Sequence, residues 1–348
     1  MALRDYESFD NLQSGTTAPG NAFTQKGWSY GGNSPWIEIG GGRFGTDCFR
    51  DRNNNVYAYK TYDNQPTWII GAAFFSRGAD GYDGVFQFYD DTTPGYQLTL
   101  ILNANKLEVR RGNWAGTLLG TGTKTLVNNV FYYIEIKATF HTSTGSVEVR
   151  VNEATDINLS GINTAGAGAA SASRVILGDL NGGGTQPSWD DYYACDGTGS
   201  APFNTFLGDV RVCSLRPSGN GNSSQLLGSD GNSTDNYLLV DEPGDVDIAD
   251  YVQSGTVSQK DTYAMTDLPS ATGTVYAVKP VMVVTKDDAG SRSAASVIRL
   301  SATEQDSANH SLSTSYEWVQ DIRTAKPGGG TWTVSDVNSM EVGMKVTA

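Results

Sequence analysis

An all-β fold, a sandwich of sheets, is predicted by three observations. The 348 residues include 41 glycines, only 18% are charged, and aromatic residues reach 10% with 17 tyrosines. Long amphipathic helices need charged faces and few glycines, so this profile favours short strands and frequent turns. Apolar and polar residues also alternate with period two in several short runs, as in strands with one buried face. Those runs are separated by Gly- and Asn-rich clusters, the punctuation of a sandwich or jelly roll. A chain this long buries a real core without disulfides, and its aromatic content excludes a disordered polymer.

The elements follow in order. Early turn clusters are Gly31-Gly32-Asn33, Gly40-Gly41-Gly42 and Asp51-Arg52-Asn53-Asn54-Asn55. Residues 96–102 and 106–110 alternate on either side of Asn103-Ala104-Asn105, which predicts a hairpin. Between 132 and 140, Tyr132, Ile134, Ile136, Ala138 and Phe140 alternate with Tyr133, Glu135, Lys137 and Thr139. A Thr144-Gly145 turn then leads to Val147, Val149 and Val151 among Glu148, Arg150 and Asn152. The prediction is a reversing ribbon with one apolar and one wet face. Residues 164–173, rich in Ala, Gly and Ser, read as a mobile loop. After the turn cluster Asn181-Gly182-Gly183-Gly184, Phe206, Gly208, Val210 and Val212 set against Asp209 and Arg211 read as a further strand.

A compositional break at residues 216–224, extended by 228–233, divides the chain. The expected organisation is a first domain over 1–214, a Gly/Ser/Asn-rich connection over 215–235 and a smaller β-sandwich module over 236–348. In that last part the β period returns over 275–285, 296–301 and 314–319. No helix longer than a couple of turns is expected.

Thirty-eight acidic residues against 24 basic ones leave a net charge of −14, which argues against a nucleic-acid partner, because phosphate binding needs clustered Lys and Arg. No run of about 18 apolar residues occurs, so no membrane insertion is expected. The acidic start at residues 1–10 lacks an apolar core, and no secretory signal peptide is expected. Cys48, Cys195 and Cys213 are too few for a disulfide scaffold. Cys195 and Cys213 could face each other on paired strands, but buried apolar packing is the favoured reading.

The motifs of common catalytic chemistries are missing: no H-E-x-x-H, G-x-S-x-G or Walker lysine occurs. Gly40-Gly41-Gly42-Arg43-Phe44-Gly45 satisfies G-x-G-x-x-G, but another Asn-rich turn follows it instead of a helix, so a dinucleotide loop is rejected. Glycoside hydrolysis needs paired carboxyls, and no E-x-D-x-E triplet is present. The nearest cluster surrounds Asp190 and Asp191, read either as carbohydrate contacts or as acids bonded to neighbouring loop backbone, the latter favoured. Asp245, Asp247 and Asp250 form an oxygen-rich turn that could hold calcium, although it lacks the glycine and distal glutamate of an EF-hand and is better read as a solvated acidic turn. No other cofactor is indicated. Trp114 in Gly112-Asn113-Trp114-Ala115-Gly116 stands in a polar turn where a core role is hard to arrange, and it is the first candidate for stacking a sugar. The remaining tryptophans are expected to pack inside.

The runs Asn128-Asn129-Val130-Phe131-Tyr132-Tyr133, Thr144-Gly145-Ser146-Val147-Glu148-Val149 and Gly161-Ile162-Asn163-Thr164 resemble the concanavalin A-like (laminin G-like) jelly roll of tailed-bacteriophage virion proteins. Asp190-Asp191-Tyr192-Tyr193-Ala194-Cys195-Asp196 followed by Phe206-Leu207-Gly208-Asp209-Val210-Arg211-Val212 is the most specific part of the likeness. Further similarity runs through Asp241-Glu242 to Trp332-Thr333 and Val337-Asn338, covering most of the chain. It departs from the usual pattern at Asn152-Glu153, where Asn-Gly is usual, and at Pro327-Gly328-Gly329-Gly330, both in connections. The resemblance implies a non-enzymatic structural component of a phage particle, a decoration, fibre or tail-associated subunit. Such a protein would be made in the host cytoplasm, contact other virion proteins, assemble as a homo-oligomer and touch host-surface carbohydrate. The alternatives are a freestanding lectin-like carbohydrate-binding module and, behind it, a polysaccharide hydrolase using Asp190, Asp191 or Asp209.

Overall fold

The computed structural model describes residues 3–10, 12, 20–32, 36–51, 56–78, 82–178, 186–242 and 249–348. Two compact units divide the chain, Met1–Val212 and Cys213–Ala348. In the first unit the chain runs through β1 (Leu3–Glu7), α1 (Gly20–Gln25), β2 (Ser29–Gly32), β3 (Trp36–Glu38), β4 (Cys48–Arg50) and β5 (Val56–Gln65). Long strands follow: β6 (Thr67–Phe75), β7 (Tyr82–Asp90), β8 (Gly95–Asn103), β9 (Lys106–Arg111) and β10 (Thr117–Thr121). The last are β11 (Phe131–Thr139), β12 (Gly145–Val151), β13 (Ala154–Ile162), β14 (Ala172–Leu177) and β15 (Ser188–Cys195).

Among the described residues these strands make an eight-stranded sheet in the order β13-β12-β11-β6-β15-β4-β3, with β1 on β15, and a seven-stranded sheet in the order β10-β9-β8-β7-β14-β5-β2. The period-two pattern explains how the sheets meet. Ile134, Ile136 and Ala138 of β11 and Leu98, Leu100 and Val109 of β8 and β9 are fully buried. Phe140 meets Phe88 across the interior at 5.4 Å. Two indoles tie the layers: Trp68 Nε1 donates to Ala172 O at 2.8 Å and Trp189 Nε1 to Val85 O at 3.1 Å. Removing either ring would cost about 3–5 kcal/mol through lost burial and the cavity left behind.

The ribbon expected over 132–152 is present, with Ile134 opposite Val151 and Thr139 opposite Ser146. The 96–110 hairpin is present too, and its turn uses left-handed Ala104 (φ 45°) and Asn105 (φ 64°), matching the right-handed twist of the flanking strands. At Asn152-Glu153, where Asn-Gly is usual, Asn152 (φ 48°) and Glu153 (φ 65°) adopt the same handedness without a glycine. No helix follows Gly45; β4 does.

Several expectations are corrected. Residues 206–212 form no strand, because side chains bond their backbone amides where a ladder would be needed. Residues 164–173 are a tethered connection running into β14: the amides of Gly166 and Ala167 bond the Gln97 backbone and side chain. The cysteines, by contrast, match the favoured reading: Cys48 and Cys195 are buried free thiols, and burial pushes Cys48 up to about 12, while Cys213 is a half-buried thiol.

The second unit contains no simple connection at 215–235. Its β16 (Pro217–Ser224) lies inside that stretch as a sheet strand, its Gly, Asn and Ser residues alternating between half-buried and exposed. It is followed by β17 (Leu227–Gly228), β18 (Val252–Gln253), β19 (Lys260–Met265), β20 (Val281–Val284), β21 (Ser293–Leu300), β22 (Thr303–Asp306), β23 (His310–Ser311), β24 (Glu317–Gln320), α2 (Val334–Ser339) and β25 (Glu341–Val346). In place of two full facing sheets, the described residues give a six-stranded sheet, β16-β19-β25-β21-β22 with β23 on β21, and two-stranded pairs β17-β18 and β20-β24. Thr333 and Asp336 form a reciprocal capping box that starts α2. The helix buries Val337 beside Ile298, Trp332 and Met340. No helix of the described residues is long and apolar enough to cross a membrane.

Candidate binding face

The seven-stranded sheet presents its second face away from the interior. One row of directly paired residues crosses it: Tyr59, Ile176, Gln87, Thr99 and Arg110. The adjacent row is Thr61, Arg174, Tyr89 and Tyr96. Strand alternation, with a register shift between Leu98 and Tyr96, puts these side chains on one side, and the middle of the face is a buried floor of Gln87, Thr99 and Ile176.

Aromatic rings and guanidinium groups flank that floor. At one end the Arg174 guanidinium lies 4.4 Å from the Tyr59 ring centre and 5.0 Å from that of Tyr89, and it pairs with Asp91. Tyr89 meets Tyr96 edge-on at 5.1 Å, and Tyr57 meets Tyr59 at 5.8 Å. A glycine is required beside this cluster, since a Cβ at Gly31 would stand 2.1 Å from the Tyr57 ring. At the other end Trp114 packs on Tyr82 at 5.6 Å, with the Arg110 guanidinium 5.7 Å from the Tyr82 ring centre. Arg110 also bonds Glu108 at 2.7 Å and reaches Gly116 O at 3.4 Å, tying the 112–116 turn to the sheet. Glu108 accepts from Asn103 Nδ2 at 2.9 Å as well.

Trp114 is therefore half-buried at one end of an aromatic face, as its polar turn predicts. Its tyrosine neighbours escaped the sequence reading. The signal for Tyr57 and Tyr59 was an aromatic at alternate positions on the side opposite the apolar one; Tyr82 and Tyr89, seven positions apart, share that side only because the pairing of their strand shifts between Gly84 and Phe86.

Asp190 and Asp191 stand elsewhere. They belong to β15 of the eight-stranded sheet, are only 1% and 2% exposed, and touch no part of the aromatic face. Asp190 Oδ2 accepts from Arg43 N at 2.8 Å and Thr46 Oγ1 at 2.9 Å, while its Oδ1 accepts from Asp191 N at 2.7 Å. Asp191 Oδ1 accepts from Val212 N at 2.7 Å. They are acids bonded to loop backbone, the alternative favoured from the residues. Strand alternation also fails there: Asp191 is left-handed (φ 52°) at a bulge against β6, so both acids turn outward between Trp189 and Tyr192. Burial, with Asp191 beside it, raises the Asp190 carboxyl, and burial raises Asp191 in turn.

The same outer face holds a second buried acid. Glu135, fully buried, accepts from Tyr193 Oη at 2.6 Å and from Gly208 N at 2.9 Å, and burial lifts its carboxyl above the usual range. The Tyr193 ring packs against Gly71, where a Cβ would come within 2.2 Å of it. Residues 206–212 cover this face, with Leu207 N on Tyr193 Oη, Asp209 N on Glu153 Oε1 and the Arg150 guanidinium 4.2 Å from the Phe206 ring centre. The side of the ribbon expected to be wet is closed at Tyr133 and Glu135 for that reason, while Lys137, Thr139, Glu148 and Arg150 beside them stay half-buried.

For the calcium candidate, Asp245 and Asp247 lie outside the described residues, and Asp250 is half-buried. Among the described residues, no group of three or more His, Cys, Asp or Glu side chains is placed to hold a metal ion.

No protein-family model matches the chain, and no curated protein matches its sequence. Solved structures do align with it. The cellulose induced protein Cip1 is 13% identical, with a TM-score of 0.39, over 59% of this chain and 99% of that one. A carbohydrate esterase from the Shiga toxin-encoding bacteriophage phi24B is 15% identical, with a TM-score of 0.37, over 55% and 98%. The exoplasmic/lumenal domain of VIP36, in a Ca2+/Man3GlcNAc-bound form, is 11% identical, with a TM-score of 0.36, over 61% and 98%.

Proposed function

We propose that the first unit binds carbohydrate on the outward face of its seven-stranded sheet and does not cleave it. The supporting observation is the pair of aromatic and guanidinium clusters, Tyr59-Arg174-Tyr89 and Tyr82-Trp114-Arg110, flanking a buried floor of Gln87, Thr99 and Ile176. Sugars lay their C–H faces on aromatic rings and take hydrogen bonds from guanidinium and amide groups. Strand-borne groups locked by their neighbours lose little freedom on binding.

The acids of this face argue against hydrolysis. Glu108 pairs with Arg110, and Asp91 pairs with Arg174. Glu108 lies opposite Ile101, which lies opposite Gly84 on β7, while Asp91 just follows the far end of that strand. Seven residues of strand separate those levels by roughly 20 Å, well beyond the roughly 5–9.5 Å that paired glycosidase carboxyls need.

The concanavalin A-like assignment and the virion setting implied by the sequence resemblance join this reading: the module would sit on a particle-borne, symmetric homo-oligomer. Antibody labelling of purified particles tests the setting by itself.

The test of the binding reading is a glycan array probed with the full chain. At least one glycan is expected to be retained, and Trp114→Ala and Arg174→Ala should each weaken it by about tenfold, the size of one lost stacking or charge-assisted contact. Retention of no glycan, or retention indifferent to both changes, would overturn the reading. Release of oligosaccharide from a bound glycan would overturn its non-enzymatic half.

A further inference from the structure

The glycine-rich run rejected as a nucleotide loop ends in a feature that the binding face does not use. Phe44 is left-handed (φ 65°, ψ 17°), a backbone state unfavourable for an aromatic residue, and it is 58% exposed. Two guanidinium groups lie against its ring, Arg43 at 4.6 Å and Arg211 at 4.3 Å from the centre.

The two cations differ. Arg43 is engaged, with Asp209 at 2.5 Å and Asp191 at 3.6 Å. Arg211 is exposed and forms no ion pair among the described residues. A planar, unpaired fork of donors therefore stands beside an exposed ring, in a protein whose net charge is −14.

The foundation of this arrangement is the pair of acids already described. Asp190 holds the Phe44 loop through Arg43 N and Thr46 Oγ1, and Asp191 holds the Arg211 stretch through Val212 N. Neighbours on one strand thus fix the ring and the guanidinium relative to each other. The loop is braced further by Gly42 N on Thr46 O at 2.8 Å and by Asp47 N on Asp10 Oδ1 at 2.9 Å.

We propose that Phe44 and Arg211 form a second sugar site, on the side of the sandwich opposite the aromatic face, which takes a sugar carrying a carboxylate. The sugar ring packs on Phe44 and its carboxylate takes the Arg211 fork. A single carboxylate on a largely neutral glycan fits best, because a dense polyanion would meet the excess of acidic residues over the rest of the protein. The proposal shares with the first reading only that the ligand is a glycan; it differs in place and in charge class.

The experiment prints uronic- and sialic-acid glycans beside their carboxyl-reduced counterparts and probes them with the full chain at two ionic strengths. At least one carboxylated glycan should bind and lose affinity on reduction and in high salt. Arg211→Gln and Phe44→Ala should each weaken it by about tenfold, while neutral glycans keep their affinity. Trp114→Ala should do the reverse. Both Phe44 and Arg211 are exposed, so an unchanged melting temperature certifies the fold of each variant. Equal binding of acid and reduced forms, or carboxylate-dependent binding unaffected by Arg211→Gln and Phe44→Ala, overturns this site and leaves the first reading standing. Carboxylate-dependent binding lost in these two variants, with no neutral binding that responds to Trp114→Ala, would instead remove the aromatic face and keep this one.

Discussion

The two outer faces of one sandwich began as similar alternating patterns and ended differently. The seven-stranded sheet leaves Tyr57, Tyr59, Tyr89, Tyr82 and Trp114 partly open to water. On the eight-stranded sheet, Tyr133, Glu135, Asp191 and Tyr193 are closed under residues 206–212. The difference teaches that strand alternation decides which residues point away from a core, whereas a segment distant in sequence decides whether they stay wet. The closed face can position groups at its rim, and the open one can meet a ligand directly.

The sharpest way to break this comparison is Glu135→Ala. It strips Tyr193 Oη and Gly208 N of their shared acceptor under a dry cover, and the expected loss of stability is about 2–4 kcal/mol in chemical denaturation. Binding at the aromatic face should persist in the folded fraction. A loss under about 0.5 kcal/mol, the scale of an ordinary surface change, would mean the cover is not seated as described.

Gly71→Ala comes next. Its methyl would meet the Tyr193 ring, and the expected cost is about 1–3 kcal/mol, the range for overpacking. A neutral result would show that the ring is free to lift.

The smallest effect is a pH dependence. Asp190, Asp191 and Glu135 are all raised by burial, so the folded chain holds protons that the unfolded chain gives up. Their contribution is complete below the usual carboxylate range near pH 4 and is lost as pH climbs through the raised values. Asp190→Asn should remove a share on the order of 1 kcal/mol, seen as a melting temperature that falls less between pH 5 and pH 8 than in the parent chain. An equal or steeper fall in the variant would show that Asp190 is ionised throughout.

Much of the fold was legible where a pattern and its partner lie close together. Residues 132–152 and 96–110 carry both strands of a hairpin within twenty-odd positions, and both hairpins formed. Trp114 was legible because a large ring in a polar turn has little core to enter. The covered face was not legible. Glu135 has the look of a solvent residue until Gly208, 73 positions later, is laid on it. Asp190 and Asp191 were noticed as a cluster, but the bulge that turns both outward breaks the period on which the reading depends. The strand expected at 206–212 alternates between half-buried and exposed only from Gly208 to Val212; Phe206 and Leu207 are buried together, and the amides bond side chains in place of a neighbouring strand. The edge strand at 217–224 was hidden by its composition, since Gly, Asn and Ser write turns and solvated strand edges in the same letters.

The cover over the eight-stranded sheet comes after the last strand of its unit, and this has a consequence for biosynthesis. When Cys195 has left the ribosome, every strand of both sheets exists, yet Glu135 and Asp191 still have only water where Gly208 and Val212 will be. The final seventeen residues of the unit therefore act as a latch on a body already built, and a fragment trimmed to the strands alone would keep its shape on paper while leaving those acids bare.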